Sequence, residues 1–533
     1  MENLQNKILN FDLKALIISK IKKADRPFWL SFFITLIALN IIFLYHGTNF
    51  MFGDHDWKYL KNDIPLNSGL FEARFSQFLL INGLSYGKIL PIINNFLGFC
   101  GFCLGISLLA KYWEVPHTPK SYITFSLFTS LTPYILSFMY FAFLVIPCLS
   151  WNAFIIGGLL ISTKEQKFSI LKTLTASTIF MLALGGYPPV INLYATALCT
   201  KLFLDSYLKK LPLKELLLTH RYSVINFLLG AFFYKLCIIY FTKTGAINPN
   251  YYNLQTIPFN QYLDKFILIS KDLFKQFTVT LPFIEAPYKL TTLIIILLAI
   301  TSLIVKSSKN HPNKLISTIF FIGIFYSALI TLFLSTSIKE TEFSPRIDFF
   351  GLLYVYSAML CIIMHLKLKF AQNLAFICCL FSIFINTNTL LNAQKVWKLG
   401  FETELNLHKR INKRYENSPL FNQYGKYIIV QGGSPSFRHK YYTTPYSHTS
   451  DDLLDISYVP AMNSGVMLNY YTSPEYADTT AYVYTFRPDA QAIEYLKTAS
   501  PWPSINSTYI GGYYIIKILD QQGLNYLRSQ YLR

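Results

Sequence analysis

Long apolar stretches alternate with short polar clusters along most of the chain. Between residues 28 and 390 the apolar stretches are about 20 residues long, enough to cross a bilayer as a helix. The pattern predicts a membrane all-α fold, a polytopic helical bundle of about eleven spans. We place the spans near 28–46, 89–110, 121–138, 142–161, 168–186, 190–207, 222–242, 289–305, 315–335, 347–366 and 371–390.

Two connections between spans are very tight, and two are long. The tight ones contain Thr132-Pro133 and the segment 185–189, and either could belong to a re-entrant element instead of a hairpin. The long ones cover 47–88 and 243–288, and long connections in a compact bundle are usually functional or form surface helices. The second predicts an amphipathic helix at the membrane surface. Its apolar residues are Tyr262, Phe266, Ile267, Leu273 and Phe274, beside the polar residues Asp264, Lys265, Lys271, Asp272 and Lys275.

The composition of the chain changes after Leu391. We therefore divide it into a transmembrane domain, 1–391, and a C-terminal domain, 392–533. Residues 401–417 are typical of a charged amphipathic helix, and strand-like runs follow at Lys426–Val430 and Tyr513–Leu519. The tail is predicted to be a small α/β domain outside the membrane.

Composition and charge agree with a membrane protein. Apolar residues make up 53% of the chain and charged residues 14%, too few charges for a soluble protein of this length. The net charge of +19 lies in short basic clusters in alternate connections, which indicates the positive-inside rule and anionic membrane lipids as partners, not nucleic acid. The pattern predicts a cytoplasmic N-terminus, and an odd number of spans then puts the tail outside.

Ionisable residues on the predicted outer side are the candidates for chemistry. The connection 47–88 contains Asp54, His55 and Asp56, and later Glu72 and Arg74. A carboxylate whose pKa is raised by a second carboxylate or by burial can act as a general base, and an arginine can bind a phosphate with two hydrogen bonds. A solvated loop with an ordinary turn is the alternative.

Three other features of the sequence concern metals, lipid head groups and cofactors. Asp54, His55 and Asp56 are metal-ligand types, but adjacent residues do not all face one ion, so no metal is predicted. Arg346 lies where a lipid head group would be, or extends from a helix end to pair with Asp348. No phosphate-binding glycine loop is present in the sequence, and no cofactor is predicted.

These residues resemble a known family. The acidic pair Asp54 and Asp56, the run Ala73–Leu80 and the closing segment 501–517 resemble the bacterial Gtr-type O-antigen glucosyltransferases, polytopic enzymes of the GT-C class. Two positions depart from that family. It more often has glycine where this chain has Ala73, and it often has Tyr-Gln in a middle span, where this chain has Tyr187 followed by proline.

The resemblance implies transfer of a glucosyl (hexosyl) unit, with inversion, from a polyprenyl-phosphate sugar to a hydroxyl of O-antigen or another surface glycan. Asp54 or Asp56 would be the base, and Glu72, Arg74 and Arg346 would bind substrate. The donor lipid and a lipid-linked or surface glycan would be the partners, in the bacterial inner membrane with the tail periplasmic. The alternatives are a lipid-linked saccharide flippase or transporter, or another GT-C enzyme of surface polysaccharide or lipid A modification.

Overall fold

The structure is a computed structural model that describes residues 25–49, 63–70, 73–139, 142–163, 169–247, 261–278, 286–306, 313–334, 349–416, 427–431, 482–483, 497, 506–510, 513–518 and 528. The helices are α1 (Arg26–Ile42), α2 (Leu44–Thr48), α3 (Leu79–Ser85), α4 (Pro91–Tyr112), α5 (Pro119–Ser130), α6 (Leu136–Met139), α7 (Val145–Thr163), α8 (Ile170–Gly186), α9 (Val190–Tyr207), α10 (Leu213–Lys243), α11 (Tyr262–Thr278), α12 (Ala286–Lys306), α13 (Lys314–Ser327), α14 (Ile330–Leu334), α15 (Leu352–Leu366) and α16 (Lys369–Glu416). The strands are β1 (Tyr427–Gln431), β2 (Tyr482–Val483), β3 (Asn506–Ile510) and β4 (Tyr513–Ile518).

Every predicted span coincides with helical structure in the part of the chain that is described. Among the described residues, five helices are long and apolar enough to cross a membrane, and one bent pair raises that number to six. The helices α1, α8, α13 and α15 are apolar but shorter. The fold is therefore mainly helical and compatible with a multi-pass membrane protein. The count of eleven spans stays a prediction.

The centre of the bundle is formed by α7 and α15. Residues 351–363 are buried without interruption, as expected of a helix that is apolar all round and enclosed by others. Helix α7 packs most closely on α4. A Cβ atom at Gly98, Gly101 or Gly105 would lie 2.4–2.8 Å from atoms of the facing segment, so these glycines allow the two backbones to approach.

The predicted span 121–138 is broken. Helix α5 ends at Ser130, and the chain resumes at Pro133 with a bend of 47°. Pro133 has no N–H to donate and disfavours helical dihedrals at Thr132, whose backbone is extended (φ −117°, ψ 141°). The tight connection at Thr132-Pro133 is thus a break that precedes α6.

Helix α11 occupies the segment predicted to be amphipathic, but its faces differ from the prediction. Lys265 was assigned to the polar face and is buried, together with Ile269 and Leu273, where α11 packs on α12 and α14. Phe274 and Ile267 are exposed instead. An apolar exposed face is favourable at the edge of a lipid bilayer, where the neighbouring solvent is hydrocarbon.

Helix α16 is longer than predicted. It runs unbroken for 48 residues, so the boundary proposed at 391/392 falls inside a helix. At 1.5 Å per residue it is about 72 Å long, more than twice the roughly 30 Å of bilayer hydrocarbon. Beyond it the strands form one sheet in the order β2-β1-β4-β3, with β1 parallel to β2 and β4, and β3 antiparallel to β4. The C-terminal α/β domain as a unit stays a prediction.

Candidate functional site

Of the five predicted site residues, Arg74 is within the described part of the chain. Asp54, Asp56, Glu72 and Arg346 lie outside the described residues. Arg74 is half-buried and is the centre of the candidate site.

A compact turn positions Arg74. Its N–H donates to the carbonyl of Gly69 at 2.9 Å, and its own carbonyl accepts from the N–H of Gln77 at 3.1 Å. Ala73 has φ 57°, in the left-handed region where glycine is the usual residue. A Cβ atom on Gly69 would lie 2.6 Å from the Arg74 carbonyl oxygen, so this turn needs glycine at position 69.

The turn is hydrogen-bonded to the end of α8. The Ser76 N–H donates to the Gly185 carbonyl at 3.1 Å, and the Ser76 hydroxyl donates to the Leu182 carbonyl at 2.5 Å. The ring of Phe75 lies directly over Gly185, where a Cβ atom would be 2.5 Å from it. The same ring stacks on Tyr234 of α10, 5.9 Å between centroids. These contacts hold the Arg74 backbone against two helices.

The Arg74 guanidinium lies over the ring of Tyr187, 5.4 Å from the centroid. Tyr187 in turn contacts Phe138 at 5.7 Å and Phe350 at 5.5 Å. A planar guanidinium held on an aromatic face keeps its edge in position to bind the oxygens of an anion such as phosphate. The arrangement suits recognition of a phosphate group.

Segments far apart in the chain meet here. Phe349 and Phe350 begin the described segment that follows Arg346, and both contact Phe138, 5.0 Å and 5.7 Å between ring centroids. We call this region, defined by Arg74, Phe138, Tyr187 and Phe350, the Arg74 end of the bundle. The turn that contains Arg74 and the start of the described segment 349–416 therefore contact one aromatic cluster.

The opposite end of the bundle contains a network of ionisable groups, which we call the Glu114 end. Lys201 Nζ lies 2.8 Å from Glu114 Oε1 and 3.2 Å from Asp205 Oδ1. Lys209 Nζ lies 2.8 Å and 2.9 Å from the same two oxygens. His220 Nε2 is 2.9 Å from Asp205 Oδ2. The side chains of Lys201, Asp205 and His220 are 8%, 3% and 3% exposed, so this part of the network is buried. The other two members, Lys209 and Glu114, are 44% and 52% exposed.

The lysines at this end lower the pKa of Glu114, which lies in the connection between α4 and α5. Burial is the largest single influence and raises the pKa of its carboxyl, but the hydrogen bonds and the positive charges of Lys201 and Lys209 together outweigh it and leave the pKa below its usual value. The network joins this connection to α9 and α10, and its opposite charges neutralise one another. We assign it a structural role.

Lys201 and Lys209 belong to the basic clusters that indicate the positive-inside rule, and that pattern does not reveal their partners. The four-residue spacing of Lys201 and Asp205 inside an otherwise apolar helix was the available signal. The pairing with Glu114 had no local signal. Tyr187 was noted as a departure from the family pattern, not as a neighbour of Arg74.

Comparisons with protein-family models, curated proteins and solved structures find no significant match to this chain. Among the described residues, no group of three or more His, Cys, Asp or Glu side chains is placed to hold a metal ion. The cysteines in that part of the chain, including Cys100 and Cys103 within α4, are free thiols. The geometry around Arg74 is therefore the basis for a functional proposal.

Proposed function

We propose that this chain is an integral membrane glycosyltransferase that moves a glucosyl or other hexosyl unit from a polyprenyl-phosphate sugar to a hydroxyl of O-antigen or another surface glycan. The observation that carries the proposal is the half-buried Arg74. Its backbone belongs to a turn that is hydrogen-bonded to α8, and its guanidinium lies on the ring of Tyr187. A membrane-embedded donor with a single phosphate needs such a cation next to the bilayer.

The proposed reaction is a single displacement with inversion. Asp54 or Asp56 accepts the proton of the acceptor hydroxyl, whose oxygen attacks the anomeric carbon. The bond from that carbon to the phosphate oxygen breaks, and polyprenyl phosphate leaves. Arg74 and Arg346 stabilise the negative charge that grows on the phosphate, and Glu72 contacts the substrate. Atoms and charge balance without a metal or a cofactor.

The proposed location is the bacterial inner membrane, with several spans, a cytoplasmic N-terminus and a periplasmic C-terminal domain. The aromatic cluster of Phe138, Tyr187 and Phe350 supports a site at the membrane surface, because aromatic rings are favourable both at the lipid interface and against sugar rings. The contacts also support the placement of Arg74 and Arg346 on the same side of the membrane. Arg74 and Phe350, which lies four residues after Arg346, both contact the ring of Tyr187.

The test is transfer of labelled sugar in membranes that contain the full chain. Wild-type membranes with a polyprenyl-phosphate hexose and a lipid-linked glycan should produce labelled glycan. Asp54→Asn, Asp56→Asn and the double variant are compared with Asp63→Asn, an exposed acid of the same connection. Loss of a general base lowers rates by about 10²–10⁴-fold, so we expect that loss for at least one of the first two and none for Asp63→Asn.

Two outcomes would contradict the proposal. If the Asp54 and Asp56 variants, including the double variant, retain full transfer, the assigned mechanism is wrong. If proteoliposomes move an intact lipid-linked saccharide across the bilayer without any new glycosidic bond, the protein is a flippase. Product analysis by mass spectrometry distinguishes these cases, because transfer adds the mass of one hexosyl residue to the acceptor.

A further inference from the structure

A cavity of about 290 Å³ lies at the Glu114 end, between the start of α5, the end of α15 and the start of α16. No step of the proposed transfer uses it. Its wall contains both apolar and polar residues. The lining residues are Pro116, Lys120, Ser121, Thr124, Leu360, Ile363, Met364, Lys367, Gln372, Asn373, Ala375 and Phe376.

The charge of this cavity is positive. Lys120 and Lys367 are the ionisable residues in its lining as described, and carboxylates do not contribute to that lining. The Lys120 ammonium lies 4.1 Å from the centroid of the Phe376 ring, which attracts the cation without neutralising it. Asp25, the residue that precedes α1, is engaged elsewhere: its carboxylate lies 3.2 Å from His117 Nε2 and 3.9 Å from Lys111 Nζ. The cavity is therefore suited to an anion.

The surface next to the cavity is suited to acyl chains. From one turn beyond Asn373, α16 presents a row of exposed apolar side chains, namely Ile377, Leu380, Phe381 and Phe384, which are 61%, 51%, 53% and 66% exposed. In a membrane protein such a row faces lipid. A soluble phosphate compound would use the cations alone, whereas a phospholipid would use the cations for its head group and the apolar row for its chains.

We propose that this cavity binds the head group of an anionic phospholipid. The phosphate lies between Lys120 and Lys367, Ser121 and Asn373 supply hydrogen bonds, and the acyl chains follow the exposed face of α16. On the predicted topology this is the cytoplasmic leaflet, opposite to the Arg74 end. The inference stands apart from the proposed transfer reaction.

The experiment measures lipid binding to the detergent-solubilised full chain by native mass spectrometry. Phosphatidylglycerol is the anionic probe, phosphatidylcholine the zwitterionic one, and glycerol 3-phosphate the free head group. We expect phosphatidylglycerol to bind more tightly than phosphatidylcholine, and glycerol 3-phosphate not to displace it. Lys120→Gln and Lys367→Gln should each weaken phosphatidylglycerol binding about fivefold, and the double variant about thirtyfold.

Lys210 and Lys214 provide a matched control pair. Both are exposed lysines in the connection and first turn that lead into α10. Lys210 has φ 55°, like Lys367 at φ 54°, so the two substitutions make similar backbone demands. Lys214 is the second residue of a helix, as is Lys120. Lys210→Gln with Lys214→Gln should leave phosphatidylglycerol affinity unchanged.

Each outcome decides the proposal. A charge-preserving double variant, Lys120→Arg with Lys367→Arg, should bind phosphatidylglycerol like the wild type, which separates loss of charge from loss of fold. Equal loss of affinity in the cavity pair and the control pair would overturn the proposal, as would no loss in either. Displacement of phosphatidylglycerol by an equal concentration of glycerol 3-phosphate would overturn the lipid as ligand.

Discussion

The two ends of the helical bundle hold their charged groups in different ways. At the Glu114 end, Lys201 and Lys209 each lie within 3.2 Å of Asp205, so cations and anions neutralise one another. At the Arg74 end, a half-buried guanidinium lies on the ring of Tyr187, 5.4 Å away. An aromatic ring fixes the plane of a guanidinium by contact with its face, whereas the ion pairs at the Glu114 end fix their cations by opposite charge.

This difference separates two uses of charge in a membrane protein. A buried network of opposite charges stabilises the contact of the segments that contribute to it, and removal of one member leaves the others uncompensated. A guanidinium whose plane is fixed by an aromatic ring is oriented for a ligand. Substitutions at the Glu114 end should therefore act on stability, and those at the Arg74 end on transfer.

The largest effect is expected from Asp205→Asn. The change preserves shape but removes the anion that faces Lys201, Lys209 and His220, of which Lys201 and His220 are buried. Loss of one partner from a buried pair costs about 3–5 kcal/mol of unfolding free energy. Equilibrium unfolding in mixed micelles measures it, with Glu215→Gln, an exposed acid of α10, as a control that should change little. Equal effects from both variants would show that the network does not stabilise the fold.

Next in size is the effect of Arg74→Ala on transfer. Removing a positioned group that stabilises charge in a transition state lowers the rate by about 10²–10³-fold. We expect that loss with an unfolding free energy close to wild type, because the turn is held by backbone hydrogen bonds and by Ser76. Arg74→Lys should recover part of the rate, since lysine restores the charge but cannot form the bidentate hydrogen bonds of a guanidinium. Transfer unchanged in Arg74→Ala would remove Arg74 from the site.

The helices could be predicted from the apolar pattern, because a stretch of about 20 apolar residues has few other stable states in lipid. Pro133 also marked the break after α5. The length of α16 was missed, because the rise in charge near residue 391 suggested a boundary, whereas a helix continues through charged residues when it leaves the membrane. The contact of Arg74 with Tyr187 and that of Glu114 with Lys201 depend on how distant segments pack, which no local pattern determines.

A smaller effect on both properties is expected from Gly185→Ala. The new methyl group would lie 2.5 Å from the Phe75 ring, which is itself packed on Tyr234 and cannot move freely. Overpacking of this kind costs about 1–3 kcal/mol, and displacement of the turn should also lower transfer by moving Arg74. Gly157→Ala is the control, because nothing lies within 4 Å of the added methyl group there. Thermal unfolding and transfer rates should both distinguish the two variants.

The smallest effect concerns pH and the Glu114 end. The pKa of Glu114 is lower in the folded protein than its usual value of 4.5, so its ion pairs stabilise the fold above that pH. The contribution is lost as pH falls below about 4.5 and through the folded pKa, because the carboxyl then binds a proton. Since the Glu114 side chain is 52% exposed, the loss should be about 1 kcal/mol at most. Unfolding free energies of wild type and Glu114→Gln, measured from pH 7 to pH 3, should differ most at pH 7 and converge in acid. A constant difference across that range would mean that Glu114 stabilises the fold through packing and not through its charge.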